Sequence, residues 1–211
     1  MATASQSLFN MTVASDNAGG NQGLLMPKLQ FRFRVNFLNF GLGSALELTK
    51  QVIDCNRPNV TFQEITVPVY NSTLYLAGKH TWADLTVNIR DDAQGGVSKS
   101  IGQQLQKQMD FVEQASAATG QDYKFQTNIE ILDGGNGGNA PSVLETWELY
   151  GCWIKTANYD QLAYATNEAV KIALTIKFDN AVQSPLTGGV GAAVGRAFGG
   201  TSSTGIGSNA G

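Results

Sequence analysis

NVTFQEITVPVYNSTLYLAGKHTWADLTVNIRDD, residues 59–92, reads as three strands in succession. The first two are rich in β-branched and aromatic residues and break only at Asn71-Ser72, which predicts a hairpin over about 58–78. Pro68 has no backbone N–H, so part of that hairpin lies at an edge or outside a ladder. Two arms of roughly eight residues reach about 25 Å, enough to project beyond a small sandwich. A long exposed hairpin invites aggregation unless something pairs with it, so self-assembly is the first functional expectation. The third strand, DLTVNIR, places Leu85, Val87 and Ile89 on one face and Thr86, Asn88 and Arg90 on the other.

The only histidine, His80, and the acids Asp84, Asp91 and Asp92 fall in this stretch. A strand separates Asp84 from the Asp91/Asp92 pair, by roughly 20–25 Å. One imidazole and one carboxylate are too few for zinc, which takes about three or four converging ligands. Asp-Asp-Ala-Gln-Gly-Gly lacks the alternating acids of a calcium loop. Elsewhere, Glu145 and Glu148 stand three apart on a predicted strand, hence on opposite faces, and read as solvated carboxylates. Gly189-x-Gly191-x-x-x-Gly195 follows Pro185 with no acid after Asp179, so it is no dinucleotide loop. There is no G-x-S-x-G elbow. No catalytic residue, cofactor or metal is expected, and the chain does not read as an enzyme.

Working outward, residues 1–27 are Ala/Ser/Asn/Gly-rich and read as a flexible arm. KLQFRFRVNF then alternates, with Leu29, Phe31, Phe33, Val35 and Phe37 on one face. A strand is expected at about 46–54, and further strands at 124–131, 144–154 and 168–178. One helix is expected over about 98–118, opened by a Ser100/Gln103 capping box and striped by Ile101, Leu105, Met109, Val112 and Ala115. Residues 182–211 form a Gly/Ser-rich tail. The sum is a mainly β domain over 28–181, a β-sandwich or barrel with one flanking helix and a long protruding hairpin.

At 42% hydrophobic and 15% charged residues, the composition suits a folded domain that covers much of its surface with other subunits. A net charge of −3 argues against a sequence-independent nucleic-acid binder. No apolar run approaches the ~20 residues of a membrane span, so no membrane anchor is expected, and the N-terminal stretch lacks the pattern of a signal peptide. Cys55 and Cys152 read as free buried thiols.

The stretches LYLAGKHTWADLTVNIRDD (74–92) and ETWELYGCWIKTANYDQLAYATNEAVKIALTIKFD (145–179), with a helix between them, resemble the tail tube proteins of contractile-tailed bacteriophages. The matching pieces are Ala77-Gly78, Thr81-Trp82, Asp84, Thr86-Val87, Asp91-Asp92, Gly151, Trp153, Leu162, Asn167-Glu168 and Asp179, with Arg57-Pro58-Asn59 and Val67-Pro68 ahead of them. His80 stands where that family often carries arginine, and the Gly-rich tail has no counterpart in it. The resemblance implies a virion protein, assembled in the host bacterial cytoplasm, whose hexameric rings stack into a tube inside a contractile sheath. Its implied partners are further copies of itself, the sheath, the baseplate and the tail terminator, with DNA passing through the lumen without specific binding. Ile65, Val67, Val69, Tyr70, Leu74, Tyr75 and Leu76 would then form the ring-stacking hairpin, and His80, Trp82 and Asp84 its junction with the sandwich. Two other readings stay open: the inner tube of a related injection or secretion device, and a carbohydrate-binding sandwich using Trp147, Tyr150 and Trp153.

Overall fold

The computed structural model describes residues 28–42, 46–134, 140–165, 167–184 and 189–191. The expected arm at 1–27 and most of the expected 182–211 tail, Gly195 included, lie outside the described residues. Residues Met1–Arg32 and Phe33–Gly211 form two separate units.

The larger unit is built on seven strands. β1 (Phe33–Leu38) begins later than the alternation predicts, and Phe31 is 74% exposed. Only Val35 and Phe37 of that stripe are buried. The segment expected as a strand over 46–54 opens instead with a helical turn, α1 (Leu46–Lys50), and pairs only from β2 (Val52–Cys55). Glu, Leu and Lys favour helix, and the β-branched pair Val52-Ile53 marks where extension begins. β3 (Val60–Val69) and β4 (Ser72–Trp82) pair only with each other among the described residues. β5 (Leu85–Arg90) follows with Leu85, Val87 and Ile89 buried, as its alternation predicts.

The helix α2 runs Gly96–Gln108, ten residues short of the expected end. Its start is set by Asp92, whose Oδ1 accepts the Val97 N–H at 3.0 Å, so this acid does structural work at a positive helix terminus. Ser100 is inside the helix, its hydroxyl donating back to Gly96 O at 2.9 Å, and forms no cap. Beyond Gln108, Asp110 Oδ1 accepts the N–H groups of Val112 and Glu113, a local turn that competes with helix. Gln114 then takes φ 54° between the short strands β6 (Met109–Asp110) and β7 (Ala115–Ser116). Met109 and Val112 are therefore exposed rather than striped on the core. Gly120 starts the short α3 (Gly120–Tyr123), with the Thr119 N–H donating to Asp122 Oδ2 at 3.1 Å.

β8 (Phe125–Leu132), β9 (Val143–Asn158), β10 (Lys171–Lys177) and β11 (Asn180–Ser184) complete the sheet. The antiparallel order is β1-β8-β9-β10-β5-β2, with β11 also on β9. The first half of β9 lies between β8 and β11, and its second half pairs with β10. The switch occurs at Gly151, φ 68°, where the inward phase moves from Glu145, Trp147 and Leu149 to Cys152 and Ile154. A bulge of this kind rotates a strand and re-aims its side chains. One β9 thus serves both layers of the sandwich. Their inner faces enclose Val87, Ile89, Ile129, Leu149, Ile172, Leu174 and Ile176, with Val97 and Ile101 of α2 joining this core. Val170, inside the strand expected over 168–178, precedes β10 and is exposed.

Two glutamines fasten α2 to the sandwich. Gln104 accepts the Gly41 N–H at 2.9 Å and donates to Tyr123 O at 2.6 Å. Gln108 donates to Ile154 O at 2.9 Å and accepts the Ile154 N–H at 2.8 Å. Its amide therefore pairs with β9 as a neighbouring strand would.

Candidate assembly surface

The β3–β4 hairpin carries the residues singled out in the sequence. Its turn is Tyr70-Asn71, one residue earlier than Asn71-Ser72, closed by the pair Val69↔Ser72. Tyr70 is fully exposed at the tip and held at φ 41°, a conformation that costs a non-glycine residue free energy. Ile65 faces Leu76 and Val67 faces Leu74, so these four and Val69 share one aliphatic face. Tyr75, opposite Thr66, lies on the other face. Ile65, Val67, Val69, Leu74, Tyr75 and Leu76 are 36–63% exposed, and no side chain from Thr61 to Thr81 is buried. The register shifts between Phe62 and Glu64, where Gly78 sits so close to Gln63 O that a side chain would collide with it.

Below the shift the hairpin meets the body. Phe62, His80 and Trp82 form a ladder of rings with centroids 6.1 Å apart at each step, and Trp82 continues onto Phe178 at 5.7 Å. Trp82 is buried, with its indole N–H unpartnered, and His80 is exposed. The hydrogen bonds of this junction come from Asp84, whose carboxylate holds Lys155 Nζ at 2.6 Å and Lys177 Nζ at 2.9 Å. Lys177 also donates to Trp82 O at 2.7 Å. Hydrogen bonds from Lys155 and then Lys177 hold the Asp84 carboxyl below the usual aspartate range. His80 thus contributes ring contacts while Asp84 ties β9 and β10 to the hairpin root.

One carboxylate departs from its expected setting. Glu145 is buried rather than solvated, because it precedes the Gly151 bulge in the same phase as Trp147. It accepts from Trp147 Nε1 at 2.7 Å and Gln183 Nε2 at 2.8 Å, and Arg57, just before the hairpin, stands 4.0 Å away. The same bulge separates the aromatics considered as a sugar platform. Trp147 is buried, whereas Trp153 is half-buried in the opposite phase and Tyr150 is exposed. Trp147 and Trp153 therefore do not share a face. Among the described residues, no three His, Cys, Asp or Glu side chains converge as metal ligands, and no helix is long and apolar enough to cross a membrane. Cys55 and Cys152 are free, Cys152 buried and Cys55 partly so, and burial pushes both thiols up to about 11.

No protein-family model and no curated protein matches the chain in sequence. Solved structures do. A chain of the anti-feeding prophage tube-terminating cap superposes with a TM-score of 0.56 at 12% identity, over 82% of this chain and 98% of that one. A chain of the six-fold symmetrised baseplate of the same particle gives 0.54 at 15% identity, over 76% and 97%. A chain of the PVC sheath–tube complex, from an extracellular contractile injection system, gives 0.51 at 12% identity, over 76% and 93%. The chain has the fold of contractile-injection tube and cap proteins. In this tube fold β1 and β2 are the two ends of the strand path, each paired on one side only among the described residues. Because β11 also pairs only with β9, the described residues present three strands paired on one side only and a hairpin whose apolar faces they leave exposed.

Proposed function

We propose that this chain is the structural subunit of a tail tube. Six copies close a ring through two of their open sheet edges, and rings stack through the β3–β4 hairpin. The stack is a conduit for genome delivery inside a contractile sheath, in the virion of a phage. The observation that carries this reading is the hairpin, two strands with apolar side chains exposed on both faces. An isolated two-stranded ribbon is at best marginally stable in water, and closing a barrel removes sheet edges altogether. The role is structural, without catalysis. Sheath, baseplate and terminator are the partners, and DNA passes a wall that has no reason to grip it at −3 net charge per copy. His80, Trp82 and Asp84 set the angle at which the hairpin leaves the body.

A second reading, the inner tube of a related injection device, is favoured by the neighbours from the anti-feeding prophage and the PVC system. Negative-stain electron microscopy of the full chain at high concentration tests both. Rings or tubes with a central channel support a tube subunit. Dispersed monomers at every concentration overturn it.

A further inference from the structure

The two free edges of the hairpin are not equivalent. A two-residue turn closed by Val69 and Ser72 makes that pair the hydrogen-bonded kind, since the flanking residues of such a turn exchange both backbone bonds. Counting back along the ladder, Val67/Leu74 and Ile65/Leu76 are also hydrogen-bonded pairs, while Pro68/Thr73, Thr66/Tyr75 and Glu64/Ala77 are not. Pro68 agrees independently, because proline fits a ladder only where no donor is required. Residues in the second set turn their N–H and C=O away from the partner strand. The outer edge of β3 is therefore Glu64, Thr66 and Pro68, and that of β4 is Thr73, Tyr75 and Ala77.

The β3 edge carries two devices that natural sheets use to refuse a further strand, a proline and a charge. The β4 edge carries neither. Its run Ser72-Thr-Leu-Tyr-Leu-Ala77 is free of charge and proline, with every outward N–H in place. We propose that β4 is the assembly edge of the hairpin and that an edge strand of a second copy of this chain adds to it between Thr73 and Ala77. The proposal rests on the tube-subunit reading. The chain supplies such a strand itself: a ring takes two of its three strands paired on one side only among the described residues, β1, β2 and β11, of six, four and five residues, and leaves the third for this addition.

The experiment compares Thr73→Pro with Thr66→Pro in the full-length protein. Both threonines are exposed and both have outward N–H groups, so each change removes one edge donor and spares the hairpin's own ladder. Pro68, directly opposite Thr73, shows that the position type accepts proline. The expected result is that T73P raises the concentration needed for tube formation about tenfold or more, while T66P assembles like the unsubstituted chain. Hydrogen exchange on the unsubstituted protein supplies a measurement that needs no variant. On assembly, the amides of Thr73, Tyr75 and Ala77 gain at least tenfold protection, and those of Glu64 and Thr66 do not. Equal assembly of T73P, equal loss in both variants, or protection of the β3 amides instead would overturn the β4 assignment and leave the tube reading standing. Failure of the unsubstituted chain to form rings or tubes overturns both.

Discussion

Replacing Gly151 with alanine would place a Cβ on a residue at φ 68° and drive it into the Asp179 carboxylate, which is held there by Lys124 at 2.5 Å. G151A is expected to lose about 2–3 kcal/mol in urea unfolding of the monomer, because no relaxation of Asp179 also relieves the backbone strain. Asp84 makes a prediction with a sign. Its pKa is lowered in the folded state, so its contribution is present above the ordinary aspartate value of 3.8 and is lost as pH falls through the lower folded value. D84N should therefore cost about 1 kcal/mol near neutral pH, and its stability should converge with that of the unsubstituted monomer in acid. A difference that persists in acid, below the folded titration of Asp84, would show that packing, not charge, accounts for it. The exposed imidazole of His80 meets the rings of Phe62 and Trp82 at the hairpin root, so His80→Ala should leave the monomer folded and shorten the tubes. Unchanged tube lengths would remove His80 from the junction.

Among the elements, the hairpin is separable from the body. Trp82 is its single buried residue, and Val60 packs against the core beside it. Deleting Ile65–Leu76 and closing the chain with a short turn should shift monomer stability by less than about 0.5 kcal/mol, while abolishing tubes. A large loss of stability would mean that the hairpin folds onto the body. The opposite holds for α2, whose Gln108 replaces a strand at Ile154. Gln108→Ala leaves one backbone N–H and one C=O without that partner and should cost about 2 kcal/mol. The sequence was informative about elements where one period prevailed. β5, β8 and β10 show their buried faces as plain alternation, and the hairpin shows its composition. It was silent where side chains competed with backbone. Nothing in the spacing of Asp110 announces that it ends a helix, and the apolar stripe ran on through Met109 and Val112. The face of Glu145 and Trp147 was legible only locally, because a single glycine in positive φ reverses the alternation of β9 midway. A glycine inside an otherwise strong strand was the available signal.

At the scale of the whole molecule, assembly through apolar faces and backbone edges has a definite salt response. Copies carrying −3 each repel one another at low ionic strength, and that repulsion is screened within about 10 Å at 0.1 M salt. Tubes should persist, and form at lower protein concentration, as NaCl rises from about 0.05 to about 1 M. Sedimentation across that series checks it, and dissolution of the tubes at high salt would point to ion pairs as the main joint. The molecular fold was legible in the sequence through the ordered motifs around Trp82, Gly151 and Asp179, none strong alone. The strands left with an open edge were not, because that depends on which strands lack neighbours, a property of topology rather than of residue pattern.

On the stacking proposed above, a subunit that offers a hairpin to the next ring is a directed object, like an arrow. Stacked copies make a polymer with unlike ends, one row of spent sockets and one row of bare ribbons. Growth from such an object has a direction, and it does not stop of its own accord, since every added ring presents afresh the surface it has just covered. Length must then be imposed from outside, by a ruler or a lid, and the lid has to match only one of the two ends.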